Sequence, residues 1–271
     1  MFLIEKVLNH NSILVIKNNK NYLVLEKGIG FQKKANQMVS LTDDMTIYLL
    51  EDSHRGTSKE IIERIDMKFI EIASHILEEA KLALGKLDQN ILLALADHIA
   101  FAIERMSQGM KISNPYASEI RLLNPEEYEV ALKAKQLIFE QTGYEFDEEE
   151  LGYITLHLHC AKTDEQVNTH MQVAIVVNES LKTIEQQFNK KIDVSSLAYS
   201  RLMTHMRYMI ARIKNQESLN IGMDEYVKSQ FPKAYEVAQE IIVEIAKVLR
   251  QKIERVEVGY LALHIQRVCE I

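Results

Sequence analysis

The sequence predicts a multidomain chain: a small antiparallel β-sheet domain at the N-terminus, then two duplicated all-α helical-bundle domains. Three observations predict it. Hydrophobic spacing changes at Thr57 from short β-branched runs to a helical period. Three prolines and nine glycines in 271 residues are too few for a turn-rich all-β architecture. The chain also repeats itself at a fixed interval of 107 residues: His98 is answered by His205, and His157 in Gly-Tyr-Ile-Thr-Leu-His by His264 in Gly-Tyr-Leu-Ala-Leu-His. Pro125 recurs as Pro232, Arg105 as Arg212, and Tyr-Glu-Val-Ala begins at both Tyr128 and Tyr235. Each copy therefore holds two histidines 59 residues apart. Two such units leave about 55 residues for one N-terminal module. The expected divisions are 1–56, 57–167 and 168–271.

In the N-terminal module, residues 2–8, Ser12 to Lys17, Tyr22 to Glu26 and Met45 to Leu50 read as strands. Asn18-Asn19-Lys20-Asn21 separates the second from the third, and asparagine tolerates positive φ, so a hairpin is expected there. Lys27-Gly28-Ile29-Gly30-Phe31-Gln32-Lys33-Lys34 is a glycine-bearing loop with three lysines around one aromatic ring. So small a sheet buries little surface and is expected to dimerise or lean on a neighbour.

Thr57-Ser58-Lys59-Glu60 has capping-box form, and Ile61, Ile62, Ile65, Phe69, Ile72, Ala73 and Ile76 follow at helical spacing. Asp88 can cap a second helix, whose stripe of Ile91, Leu95, His98, Ala102 and Arg105 ends near Gly109. Pro125 opens a third helix through residue 140, with Glu126 and Glu127 at its N-terminus. Asp147 to Glu150 introduces the helix that bears His157. The second copy repeats the order over Leu202 to Arg212, Pro232 to Arg250 and Val256 to Cys269, with the joint expected between Thr163 and Thr169.

Composition narrows the classes. Hydrophobic content of 47% and charge of 26% suit a globular chain. No apolar run approaches the roughly 18 residues of a membrane span, and Glu5-Lys6 directly after Met1-Phe2-Leu3-Ile4 argues against a signal peptide. Cys160 and Cys269 occupy unmatched places in their repeats, which fits a reducing, cytoplasmic setting. Net charge is −7, yet residues 1–42 carry six lysines against Glu5 and Glu26. A basic module on an acidic body is the asymmetry expected when only the first part meets a polyanion; the bland alternative is a solvated sheet surface.

A histidine beside an apolar stripe is ordinarily a satisfied core or interface residue. Four at matched places in a duplication shift that balance. His157-Leu-His159 cannot chelate one metal ion, because residues two apart on a helix point about 200° away from each other. His159 has no histidine counterpart, since position 266 is glutamine. No nucleophile elbow, phosphate-cradling lysine loop or dinucleotide fingerprint is present, so neither a cofactor nor an enzyme is expected. What remains is imidazole as a phosphoryl acceptor, largely neutral and nucleophilic near pH 7.

Lys6, Asn11 and Gly28-Ile-Gly-Phe31-Gln32-Lys33-Lys34, then Asp97-His98 with Glu104-Arg105, Gly152-Tyr153 with His157, Leu202-Met-Thr-His205 and Gly259-Tyr-Leu-Ala-Leu-His264, stand in one order over the whole chain. In this they resemble the BglG/SacY/LicT family of bacterial transcriptional antiterminators. The resemblance implies an N-terminal co-antiterminator RNA-binding domain and two PTS regulation domains. It implies a homodimer that binds an RNA hairpin in a leader transcript and keeps the overlapping terminator from folding. It further implies histidine phosphorylation by the sugar phosphotransferase system, with a sugar permease (enzyme II) inhibiting through the first regulation domain and the phosphocarrier protein HPr activating through the second. By position, the implied RNA contacts are Lys6, Asn11, Lys27, Gly28, Phe31 and Gln32, and the implied phosphorylation sites are His98, His157, His205 and His264. The chain departs from the pattern at Glu26, where many members have glycine, and at Thr204, where Asp97 leads one to expect aspartate; His10 and His159 match nothing in it. Two rivals stand beside this reading: a helical interaction module whose β-domain only dimerises, and a DNA-binding activator with the same sensor domains, against which no helix-turn-helix precedes residue 57.

Overall fold

The computed structural model describes residues 1–42, 45–50, 58–111, 113–163, 167–218 and 223–270. The five strands are β1 (Phe2–Asn9), β2 (Ser12–Lys17), β3 (Lys20–Leu25), β4 (Met38–Val39) and β5 (Thr46–Leu50). They form one antiparallel sheet in the order β4-β1-β2-β3-β5. Asn18 and Asn19 both take positive φ, 51° and 60°, so β2 and β3 join through a two-residue turn tighter than the four-residue spacer suggested. The short β4 has no signature in the sequence.

Among the described residues eleven helices follow: α1 (Ser58–Arg64), α2 (Met67–Leu84), α3 (Ile91–Ser107), α4 (Ala117–Leu123), α5 (Pro125–Thr142), α6 (Glu148–Thr163), α7 (Val167–Phe188), α8 (Leu197–Asn215), α9 (Asp224–Gln230), α10 (Pro232–Leu249) and α11 (Arg255–Glu270). The multidomain sheet-then-helix architecture is therefore the expected one. One expected helix is two, because the Asp66 carboxylate accepts a hydrogen bond from Lys68 N–H and caps α2, interrupting the periodic stripe after α1. Thr57 of the expected capping box lies outside the described residues. Asp88 accepts from Asn90 N–H just before α3, and Gly109, at φ 70°, follows its end. Around the expected joint at Thr163 to Thr169, α6 ends at Thr163 and α7 starts at Val167. No helix among the described residues is long and apolar enough to cross a membrane.

The chain divides into two compact units. The first comprises residues 1–113 and 126–164, the second residues 114–125 and 165–271. In the first unit, one face of the sheet (Ile4, Ile13, Val15, Val24, Val39) forms its own small core. The other face gives Leu14, Leu23 and Tyr48 to the helical core built on Ile70, Ile76, Leu95, Ile99 and Ile138. Polar contacts line that seam: Tyr48 Oη to Ser74 Oγ at 2.8 Å, Asn9 Nδ2 to Glu71 Oε1 at 3.1 Å, and Thr46 Oγ1 to Glu78 Oε1 at 3.0 Å. The sheet thus leans on a neighbour. In the second unit, α7, α8, α10 and α11 enclose Leu202, Met206, Tyr235, Ile241 and Ile265. α4, which belongs to the first repeat by sequence, contributes Leu122 and Leu123 to that same core.

Candidate functional site

The basic loop is built on the β1–β2 turn. Asn9 Oδ1 accepts from Asn11 N–H and from Ser12 Oγ, at 2.8 and 2.7 Å, which fixes the turn. Asn11 in turn holds the loop: its Oδ1 accepts from Gly28 N–H at 2.9 Å and its backbone carbonyl from Glu26 N–H. Gly28 has φ 79° and Gln32 φ 55°, both in the left-handed region. Gly30 N–H donates to the His10 carbonyl at 2.9 Å, and a Cβ on Gly30 would lie 2.1 Å from the Asn9 carbonyl oxygen. The Phe31 ring is 57% exposed, supported edge-on by His10 at 5.7 Å between ring centres. Lys27, Lys33 and Lys34 are exposed around it, and Glu26 turns its carboxylate back to accept from Lys27 N–H.

Five of the six expected contacts (Asn11, Lys27, Gly28, Phe31, Gln32) thus share this turn and loop. Lys6 does not: it pairs with Leu14 on the helix-facing side of the sheet, and its Nζ donates to Glu63 of α1 at 2.9 Å. His10, which the sequence leaves without a role, supports Phe31.

Each unit also holds one histidine pair on two facing helices. His98 on α3 and His157 on α6 lie 5.3 Å apart between ring centres, with Tyr153 5.4 Å from His98. His205 on α8 and His264 on α11 stack at 4.6 Å, with Tyr260 6.0 Å from His205. The 59-residue spacing therefore closes into contact twice.

Beside each pair sits an arginine–glutamate bridge. Arg105 Nη2 donates to Glu150 Oε1 at 3.0 Å, both side chains buried, and Glu150 Oε2 lies 3.4 Å from His98 Nε2. Arg212 donates to both Glu257 oxygens at 2.9 Å. The two glutamates and two tyrosines stand at the same 107-residue offset as the histidines. That offset was the available signal for their pairing with the histidines and arginines. Asp97, before His98, is bridged to Arg64 of α1 at 2.7 Å, whereas Thr204 is exposed. His159 is engaged differently, with Nδ1 3.0 Å from Glu127 Oε1, while Lys162 Nζ approaches the same oxygen at 3.4 Å. Burial opposes ionisation of Glu127, but the His159 hydrogen bond and charge and the nearby Lys162 hold its carboxyl below the ordinary range. Among the described residues no group of three or more His, Cys, Asp or Glu side chains could hold a metal ion.

Burial pushes the pKa of His98 down to about 3, with the neighbouring His157 and Arg105 acting in the same direction. That of His205 is pushed to about 3 by burial, His264 and Arg212. Both rings are therefore neutral at pH 7, which leaves a ring nitrogen lone pair available as a nucleophile. The same shifts couple to stability. An unfolded histidine binds a proton below about 6.5 while the folded His98 and His205 stay neutral to about 3, so stability is full above the unfolded value and falls as pH drops through this window. The thermal midpoint is expected to fall between pH 7 and pH 5, and less steeply in the His98→Gln/His205→Gln variant. Parallel pH profiles of the two proteins would contradict the assignment.

Comparison with known protein families and structures matches residues 2–56 to the CAT RNA binding domain, and residues 70–161 and 178–268 each to the PRD domain. The chain is 30% identical to the transcription antiterminator LicT of Bacillus subtilis, over 98% of both chains. It is 30% identical to the protein GlcT of Staphylococcus saprophyticus, over 99% of this chain and 98% of that one. It is also 30% identical to the beta-glucoside operon antiterminator of Dickeya chrysanthemi, over 98% of this chain and 96% of that one. Among solved structures it is similar to the crystal structure of GlcT CAT-PRDI, with 32% identity and a TM-score of 0.52 over 60% of this chain and 98% of that chain.

Proposed function

Because the chain belongs to the family of transcription antiterminators that join a CAT RNA-binding domain to two PRD domains, we propose that it binds a hairpin in the leader transcript of a sugar-utilisation operon and prevents termination. The domains divide at 56/57 and 167/168. Asn11, Lys27, Gly28, Phe31 and Gln32 contact the RNA, and Lys6 joins them on leaving Glu63. The protein acts in the cytoplasm as a homodimer and catalyses no reaction of its own. His98 and His157 receive phosphoryl groups under control of a sugar permease, and His205 and His264 from HPr.

The observation that carries the RNA reading is the exposed Phe31 ring held on a three-lysine loop by the Asn11–Gly28 hydrogen bond. Selective RNA recognition stacks unpaired bases on such rings, and lysines add phosphate contacts that weaken with salt. A gel shift with the operon's leader hairpin tests it. Binding should fall steeply with salt, and Phe31→Ala should weaken it about tenfold or more, the worth of one stacked base. Equal binding by Phe31→Ala and wild type would refute the site.

A further inference from the structure

The two histidine pairs share their rings, tyrosines and arginine–glutamate bridges, but their surroundings differ in charge. Arg201 lies one helical turn before His205 on α8, and Arg267 one turn after His264 on α11, positions that share a helix face with those rings. Both arginines are exposed, and among the described residues neither makes a hydrogen bond or an ion pair. Their charges nevertheless reach His264: after burial, Arg267 and then Arg201 hold that ring below the ordinary histidine range. In the first repeat the corresponding positions, 107 residues earlier, are Ala94 and the buried Cys160. At these matched positions the pair of guanidinium groups belongs to the second site and not the first.

Two cations beside a ring that must stay neutral oppose protonation, but they favour any modification that adds negative charge. A phosphoryl group adds about −1.5 to −2 and three acceptor oxygens, and guanidinium forks match those oxygens in geometry as well as charge. Within the pair, His205 is the poorer recipient. Its Nε2 is buried, and its neighbour Arg212 is committed to Glu257 through two hydrogen bonds. Both residues are partly exposed, but it is His264 that feels the charges of Arg267 and Arg201.

We propose that Arg201 and Arg267 form a phosphoryl-binding rim over the second histidine pair, and that of its two rings His264 takes the phosphoryl group first. This rests on the histidine-phosphorylation reading above. A ring nitrogen of His264 attacks phosphorus with its lone pair, forming the new N–P bond. The N–P bond to the donor's phosphohistidine breaks, and its electron pair returns to the donor imidazole. That imidazole takes the proton released from the other ring nitrogen of His264. The rim neutralises the arriving charge and then holds it, whereas the matching positions beside the first pair are Ala94 and Cys160.

The test uses the full-length chain and potassium phosphoramidate, a small N–P donor that needs no protein docking, with phosphopeptides mapped by mass spectrometry at alkaline pH. His264 should be labelled in the wild type. Arg201→Gln/Arg267→Gln should slow that labelling about tenfold, Arg201→Lys/Arg267→Lys should retain most of it, and labelling of the first pair should not change. The single variants Arg201→Gln and Arg267→Gln, each checked by thermal midpoint, give the same reading at smaller amplitude if the double variant folds poorly. Labelling of His264 at the wild-type rate in Arg201→Gln/Arg267→Gln, or a phosphoryl group on His205 in place of His264, would overturn the rim alone. A wild-type chain labelled on no histidine would overturn both the rim and the phosphorylation reading.

Discussion

Replacing Arg105 by alanine is expected to destabilise the first unit by about 3–5 kcal/mol, the cost of leaving one partner of a buried ion pair behind. Arg105 is 6% exposed and Glu150 5%. Burial already raises the Glu150 carboxyl above the ordinary range, with Arg105 opposing that rise. Without the guanidinium, Glu150 Oε2 still lies 3.4 Å from His98 Nε2. The variant should therefore lose stability at pH 7, and its His98 should titrate higher, because both the repelling Arg105 charge and the competing salt bridge are gone. Chemical unfolding measures the first effect and histidine proton NMR the second. Pairing Arg105→Ala with Glu150→Gln removes the orphaned charge and should recover part of the loss. If Arg105→Ala alone costs less than about 1 kcal/mol, the worth of a surface pair, the bridge is not buried in solution.

How far such a site can be read in the sequence depends on which physical constraint wrote it. The duplication was legible because both copies must build the same bundle: α4, α5 and α6 recur as α9, α10 and α11 at the 107-residue offset, start and end alike. The histidines were legible through that offset. Glu150 was harder to see, since a glutamate in the first turn of a helix reads as a partner for the helix dipole. Only the closed fold brings it across 45 residues to Arg105. The break between α1 and α2 was hidden because Ile61 to Ile76 keeps one period through it, and the local cap at Asp66 overrides that period. α4 shows a third kind of limit. An amphipathic segment declares a buried face but not the core that receives it, and here Glu119 accepts from Asn178 inside the second unit.

The basic loop shows the same limit at a single residue. Gly28 and Gly30 look alike in sequence, yet the structure asks different things of them. Gly28 has φ 79°, and nothing lies within 4 Å of where its Cβ would stand, so Gly28→Ala is expected to cost about 1–2 kcal/mol of backbone strain and leave the loop's path intact. Gly30 is held to the β1–β2 turn by its bond to His10, and an added Cβ would meet the Asn9 carbonyl oxygen at 2.1 Å and Val7 Cγ1 at 3.1 Å. Backbone cannot yield there as a flexible side chain would, so Gly30→Ala must lift the loop off the turn. That breaks the Gly30–His10 bond, strains the Asn11–Gly28 bond and removes Phe31 from the support of His10. Overpacking of this kind costs about 1–3 kcal/mol of stability, but the larger effect falls on binding, because Phe31, Asn11 and Lys27 lose their common frame at once. Gly30→Ala is expected to abolish the leader-hairpin gel shift under conditions where Gly28→Ala still binds, with the helical units folded in both by circular dichroism. Should Gly30→Ala bind as well as Gly28→Ala, the loop is not anchored to the turn in the RNA-bound protein, and the interface must be assembled some other way.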